Sequence, residues 1–149
     1  MSRAIRNQRG QALVETGIVV VILVILLTGI VEFGRAWMVA NMITHALRDG
    51  ARMAAITSAT NRDATGHING ATKTAINTQV LTEIRSVLGP SWTASLQDIQ
   101  QTPADPIPAG VPPVVTVRVT GSIPLIFGLF GASLSVDRSV TFRDEGRNS

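Results

Sequence analysis

Glu15 sits where a carboxylate is least expected in this 149-residue chain, just inside a long apolar run. Ten consecutive Ile, Leu or Val residues follow it from Ile18 to Leu27. At the centre of a bilayer an acidic side chain costs about 2.5–3.5 kcal/mol. Four residues past Gln11, Glu15 is only about 6 Å deep, so it can snorkel toward the head groups as a tolerated interfacial acid. The functional alternative is that it pairs with a cation, because ionisable groups inside a membrane segment mark function by default.

The remaining candidates for chemistry form no constellation. His45 and His67 are the two histidines, and neither lies in a triad or a metal motif. The absence of Cys removes thiol nucleophiles, disulfide scaffolds, Cys-based zinc sites and iron–sulfur clusters. No Gly-rich phosphate loop follows a strand. Asn61, Asp63, Thr65 and Gly66 match the opening of an EF-hand calcium loop, but Thr72 replaces the closing glutamate, and the match is read as accidental. No catalytic residue, metal or cofactor is expected, and an enzyme is a poor reading.

The elements that carry Glu15 are set by composition. Charged residues make up 15% of the chain, against roughly 25% in ordinary soluble domains. Residues 12–31 taken as helix span about 30 Å, the thickness of a bilayer core, and the short remainder could hardly cover such a helix on all sides. Arg3, Arg6 and Arg9 precede the segment and only Arg35 closely follows it. The positive-inside bias therefore places the N-terminus in the cytoplasm and the residues beyond about 32 outside. A cleaved secretory signal is the weaker reading, since the apolar run is too long and lacks a small-x-small site before Glu32 and Phe33. A net charge of +3 is no signal for nucleic acid.

Arg9, Gly10, Gln11, Ala12, Leu13, Val14 and Glu15, followed by the apolar run, resemble the processing site of type IV prepilins. The resemblance implies that a membrane-embedded prepilin peptidase cuts between Gly10 and Gln11. It further implies that Glu15 pairs with the new α-amino group of a neighbouring subunit. An amine of pKa about 7.7–8.0 and a carboxylate would neutralise each other where water is scarce. Two downstream stretches, Gly29 to Arg35 with Glu32, Phe33, Gly34 and Arg35, and Leu47 to Arg52 with Arg48, Gly50, Ala51 and Arg52, are similar to the signatures of TadE-like pseudopilins of the tight-adherence (Flp/Tad) pilus machinery. Val140 to Glu145 resembles that family's last strand. Thr16 stands where the family usually has an aromatic, and Val21 where proline is frequent. The resemblance is dense over residues 9–56 and thin from 57 to about 132.

Beyond the membrane the helix is expected to continue to about residue 56. Ala36, Ala40, Ile43, Leu47, Gly50 and Ala54 form an apolar seam at heptad spacing, with Asn41, His45, Arg48 and Arg52 on another face. The seam packs either on the chain's own domain, the favoured reading beyond Ile43, or on other helices in an assembly. Residues 57–69 read as a polar loop in which His67 is exposed. A second helix is predicted over residues 71–88, with Ala75 or Ile76, Val80, Ile84 and Val87 or Leu88 on its apolar face, ended by Gly89 and Pro90. Residues 91–101 hold a candidate first strand. Pro103, Pro106, Pro108, Pro112 and Pro113 mark a stiff loop. Val115, Val117 and Val119 alternate with Thr116, Arg118 and Thr120 as in a half-buried strand. Leu134, Val136, Val140 and Phe142 indicate a last one, its apolar face broken by Arg138. Between these strands, residues 123–131 are apolar but too short to span a membrane. Such a connection most often folds on its own sheet or helix; the sharper reading is an exposed Phe127/Phe130 patch that rests on the bilayer or on a neighbouring subunit.

The expected fold is α+β and pilin-like: a long N-terminal transmembrane helix, then a small domain with a second helix packed on an antiparallel sheet. Its parts are a cytoplasmic leader (1–10), the long helix (11–56) and an extracytoplasmic domain (57–149). Two functions fit. One is a structural minor pilin or pseudopilin of the cytoplasmic (inner) membrane, cut after Gly10 and assembled through its helix into or beneath a pilus that supports adhesion. Its partners are other pilins, a transient prepilin peptidase and the membrane. The other is an unprocessed, single-pass anchored protein whose outer domain binds a partner or wall component. Loss of the leader removes three of thirteen basic side chains and leaves ten against ten acidic ones, so the basic character belongs to the orientation signal.

Overall fold

A computed structural model describes residues 2–89, 92–96, 99–102, 110–128 and 131–148. Helix α1, Ser2–Ala55, is one continuous rod of 54 residues, about 80 Å long. No proline interrupts it, and the hydroxyls of its two apolar-segment threonines bond back to the preceding turn without breaking it. Thr16 Oγ1 donates to the Ala12 carbonyl at 2.8 Å and Thr28 Oγ1 to that of Val24 at 2.7 Å. The helix also runs through Gly10 without a break, so the expected leader and the span are one element. The stretch Gly10–Ala55 contains a window long and apolar enough to cross a membrane, and none of that window is covered by the rest of the chain.

Helix α2, Gly70–Leu88, starts where Asn69 accepts the Thr72 N–H on its side-chain oxygen at 2.8 Å. It ends at Gly89, whose φ of 72° is the left-handed turn that glycine supplies. Its buried face is Ile76, Val80 and Ile84. Val87 and Ala75, the alternatives at either end of the predicted stripe, are exposed.

The sheet is built around β3, Val114–Pro124. Strand β4, Ser133–Arg143, pairs antiparallel along its whole length, from Val114 opposite Arg143 to Pro124 opposite Ser133. The other edge of β3 is shared by β1, Thr93–Leu96, which meets residues 119–122, and β2, Gln100–Thr102, which meets residues 114–116. The four strands thus stand in three columns, and the region expected to hold one strand holds two short ones. Pro90, Pro103, Pro106, Pro108 and Phe130 lie outside the described residues.

Val115, Val117, Val119 and Ile123 of β3 face the helices and are buried, each contributing about 1.5–3 kcal/mol relative to exposure. On the opposite face Thr116 and Thr141 share a hydroxyl hydrogen bond of 2.8 Å, and Arg118 pairs with Asp137. Strand β4 is less covered: Val136 is buried, Val140 half-buried, and Leu134, Arg138 and Phe142 are exposed. The chain's own core begins on α1 at Val39, and Ile43, Leu47, Gly50 and Ala54 of the predicted seam are buried with Ala46, Ala51 and Ala55. The stripe is wider than a two-column seam because α1 packs on α2 and on the sheet at once. Asn41, His45, Arg48 and Arg52 point to solvent, as their spacing requires.

Candidate functional site

The structure divides the sequence-derived candidates into three places along α1. The first is the membrane segment. Gly10, Gln11 and Glu15 are all exposed, and a side chain added at Gly10 would meet nothing within 4 Å. Among the described residues Glu15 makes no hydrogen bond or ion pair.

The second is the turn of α1 just past the span. Glu32 and Arg35 are three residues apart, on one face of the helix. Glu32 is only 3% exposed. It spends both carboxylate oxygens on the connection between β3 and β4: the Ile126 N–H donates to Oε1 at 2.7 Å and the Phe127 N–H to Oε2 at 3.2 Å. Arg35 donates from Nη1 to the Pro124 carbonyl at 2.9 Å. A charged acceptor and a charged donor therefore clamp one loop over residues 124–127. The loop closes on itself as well, through Leu125 N–H to the Ala132 carbonyl at 3.1 Å. The connection folds on its own helix by its backbone while leaving side chains out: Ile126 and Phe127 are both more than half exposed. Phe33 stacks on Trp37 with ring centroids 6.4 Å apart, and both rings are exposed. Between these groups lies an open apolar groove of about 480 Å³, lined by Gly29, Phe33, Ala36, Trp37, Leu125 and Leu134 among others.

The third place is the turn at residues 48–52. Gly50 and Ala51 are buried where α2 crosses; a Cβ on Gly50 would collide with Cγ2 of Val80. Close approach of the two helices is thus the physical need that this glycine meets. Arg48 and Arg52 line an open groove with Asp49, Phe142, Arg143 and Glu145.

Sequence reasoning missed the polar centre of the domain. Arg62 and Asp144, 82 residues apart, form a buried two-pronged pair with bonds of 2.7 and 3.1 Å. Arg62 also donates to the carbonyls of Thr57 and Gly66. Gln101 bridges the same carboxylate, at 2.7 Å, to the Ile68 N–H, at 2.8 Å. The Asp144 N–H donates to the Pro113 carbonyl at 2.8 Å. Its arms reach three segments, so the hub ties the polar loop, β2 and the chain beyond β4 together. Nothing in local spacing reveals Arg62; the one available signal was the acidic end of the last strand. In the same loop Asp63 caps its own turn and is not poised for calcium. Its Oδ1 accepts from the Thr65 hydroxyl at 2.6 Å and from the Thr65 and His67 N–H groups. The Thr65 hydroxyl above all, with those two N–H groups, holds the Asp63 carboxyl below the usual carboxylate range. His67, expected to be exposed, is half-buried and shares a 2.8 Å contact from Nδ1 with Thr65. On the sheet's outer face, hydrogen bonds from Arg118 lower the Asp137 carboxyl and raise the guanidinium in turn.

Residues 10–52 match the family model of TadE-like proteins. That stretch contains the Gly10-to-Glu15 segment, both helix signatures and the Glu32/Arg35 clamp. No curated protein and no solved structure matches the chain. The match points to a protein associated with the Tad pilus, and with one apolar N-terminal helix it fits a single-pass inner-membrane protein.

Proposed function

We propose that this chain is a structural minor pilin or pseudopilin of the tight-adherence machinery. A prepilin peptidase cuts it after Gly10, and it assembles through α1 into or beneath a pilus that supports adhesion. Its N-terminus lies in the cytoplasm and its domain outside. One observation carries the reading: apart from the contact of Glu32 and Arg35 with the β3–β4 loop, α1 is covered by its own domain only from about Val39, while residues 11–31 present mostly apolar side chains and one carboxylate that the other described residues leave uncovered. Lipid can cover the apolar part. None of the other described side chains pairs with Glu15, and an α-amino group freed at Gln11 of a neighbour is the cation that the processing site would supply. The role is mechanical and not catalytic. The helical backbone at Gly10 has to open for cutting, and glycine makes that opening easy, being about 1 kcal/mol less favourable in a helix than alanine.

The test is the intact mass and N-terminal sequence of the membrane-extracted protein, made with and without a prepilin peptidase. A chain beginning at Gln11 only when the peptidase is present supports the proposal. The same spectrum shows whether Gln11 keeps its amine, gains a methyl group or cyclises to pyroglutamate, which would abolish the cation. Gly10→Ala should block cutting, and Glu15→Ala should permit cutting but impair assembly. A chain still beginning at Met1 or Ser2 beside a competent peptidase would overturn the reading in favour of an unprocessed anchored protein.

A further inference from the structure

We infer that the clamped β3–β4 loop, together with Phe33 and Trp37, is a membrane-contacting foot whose partner is the lipid leaflet on the domain's side of the span. The inference goes beyond assembly and rests on the reading that residues 12–31 cross a bilayer.

Position follows from the helix. If residues 12–31 fill the hydrocarbon layer, Glu32 lies one residue, about 1.5 Å, past its edge. The loop tip is hydrogen-bonded to Glu32 through Ile126 and Phe127, so it is held at the same level. Phe33 is one residue further, and Trp37 about 9 Å beyond Val31, at the outer margin of the head-group region. With the span seated over residues 12–31, the loop therefore meets the interface.

The chemistry fits that level. Ile126, Phe127, Phe33 and Trp37 are exposed apolar groups from two distant parts of the chain, gathered within about 9 Å of the span's outer edge. Tryptophan favours this zone, and phenylalanine is among the apolar residues that interfacial segments bury at the head-group boundary. Backbone polarity is the usual obstacle to a loop in contact with lipid, because unpaired N–H and C=O groups have no water to bond. Here the two N–H groups at the tip are taken by Glu32, that of Leu125 by Ala132, and that of Gly131 by Gly128. Pro124 has no N–H, and its carbonyl is taken by Arg35. The apolar groove beside Phe33 and Trp37 opens at the same height and continues the lipid-facing surface of the span. The signature pair Glu32/Arg35 thus prepares the loop's tip for the membrane by taking the N–H groups of Ile126 and Phe127 and the carbonyl of Pro124.

The experiment uses the full chain in phosphatidylcholine vesicles, with Trp37→Phe and Trp92→Phe removing the native tryptophans. One new tryptophan is then placed by Leu23→Trp in the span, Phe127→Trp or Ile126→Trp in the loop, or Gln79→Trp on the exposed side of α2. Lipids brominated near the head group or near the chain end serve as quenchers. Leu23→Trp should be quenched most by the deep label, and Phe127→Trp and Ile126→Trp most by the shallow label with blue-shifted emission. Gln79→Trp should be quenched by neither. Loop probes that behave like Gln79→Trp, while Leu23→Trp is quenched, would overturn the foot and leave the span standing. An unquenched Leu23→Trp would instead overturn the span. Loop probes that are blue-shifted but unquenched, and that turn solvent-like when protein is diluted in lipid, would assign the surface to a second copy and refute the lipid partner.

Discussion

Replacing Glu32 tests the clamp most directly. Hydrogen bonds to a charged acceptor contribute about 1.5–3 kcal/mol each. The 2.7 Å bond from Ile126 belongs near the top of that range and the 3.2 Å bond from Phe127 near the bottom, so Glu32→Ala should weaken the loop's attachment by about 4 kcal/mol. At about 1.4 kcal/mol per tenfold, protection of the Ile126 and Phe127 amides against hydrogen exchange should fall by up to about a thousandfold, as far as the wild type is protected. Glu32→Gln keeps an acceptor oxygen without the charge and should fall between the two. The assay is amide exchange followed by NMR on the full chain in detergent micelles, with Val117, buried in the middle of β3, as the internal reference. If the two loop amides exchange in Glu32→Ala as they do in the wild type while Val117 is unchanged, the carboxylate is not what holds the loop.

Three further outcomes follow from the same geometry. Arg62→Met leaves Asp144 as an uncompensated buried charge and should destabilise the domain by about 3–5 kcal/mol, measured by denaturant titration of Trp92 emission in a Trp37→Phe background. Gly50→Ala drives a methyl group into Val80; overpacking of about 1–3 kcal/mol outweighs the helix propensity gained, and the loss in a Gly50→Ala/Val80→Ala double variant should be less than the sum of the two single losses. Asp63, with its carboxyl held below the ordinary 3.8, stabilises the fold fully at pH above that value and loses this contribution as pH falls through its lower folded value. Asp63→Asn should therefore flatten the pH dependence of stability below about pH 4, with little change in that slope at neutral pH.

The elements were largely legible because their signals are local. The three-residue and four-residue spacing from Ile43 to Ala54, the stripe of Ile76, Val80 and Ile84, and the alternation through Val115, Val117 and Val119 each report burial on one face, and all are buried. Strand β4 was harder to read: its apolar positions include exposed Leu134 and Phe142, since an edge strand is covered only in part. The span was legible from composition, but the partner of Glu32 was not. That partner is backbone, 94 residues away, and a main-chain N–H leaves no trace in side-chain type. Arg62 was invisible for a related reason. A polar loop looks alike whether its arginine is solvated or drawn into the core by a carboxylate from the far end of the chain.

The unbroken course of α1 makes residue number a gauge of both height and azimuth. Each residue turns the rod by about 100° and lifts it by about 1.5 Å. A residue inserted between Trp37 and Val39 would leave the packing from Ile43 onward intact, yet swing Glu32 and Arg35 to a different compass bearing from the loop they hold. Seven inserted residues would nearly restore the bearing, but would raise the domain about 10 Å off the level of its clamp. The distance along the rod between the membrane segment and the core is therefore a measured quantity in this protein, with little tolerance for a change of even one residue.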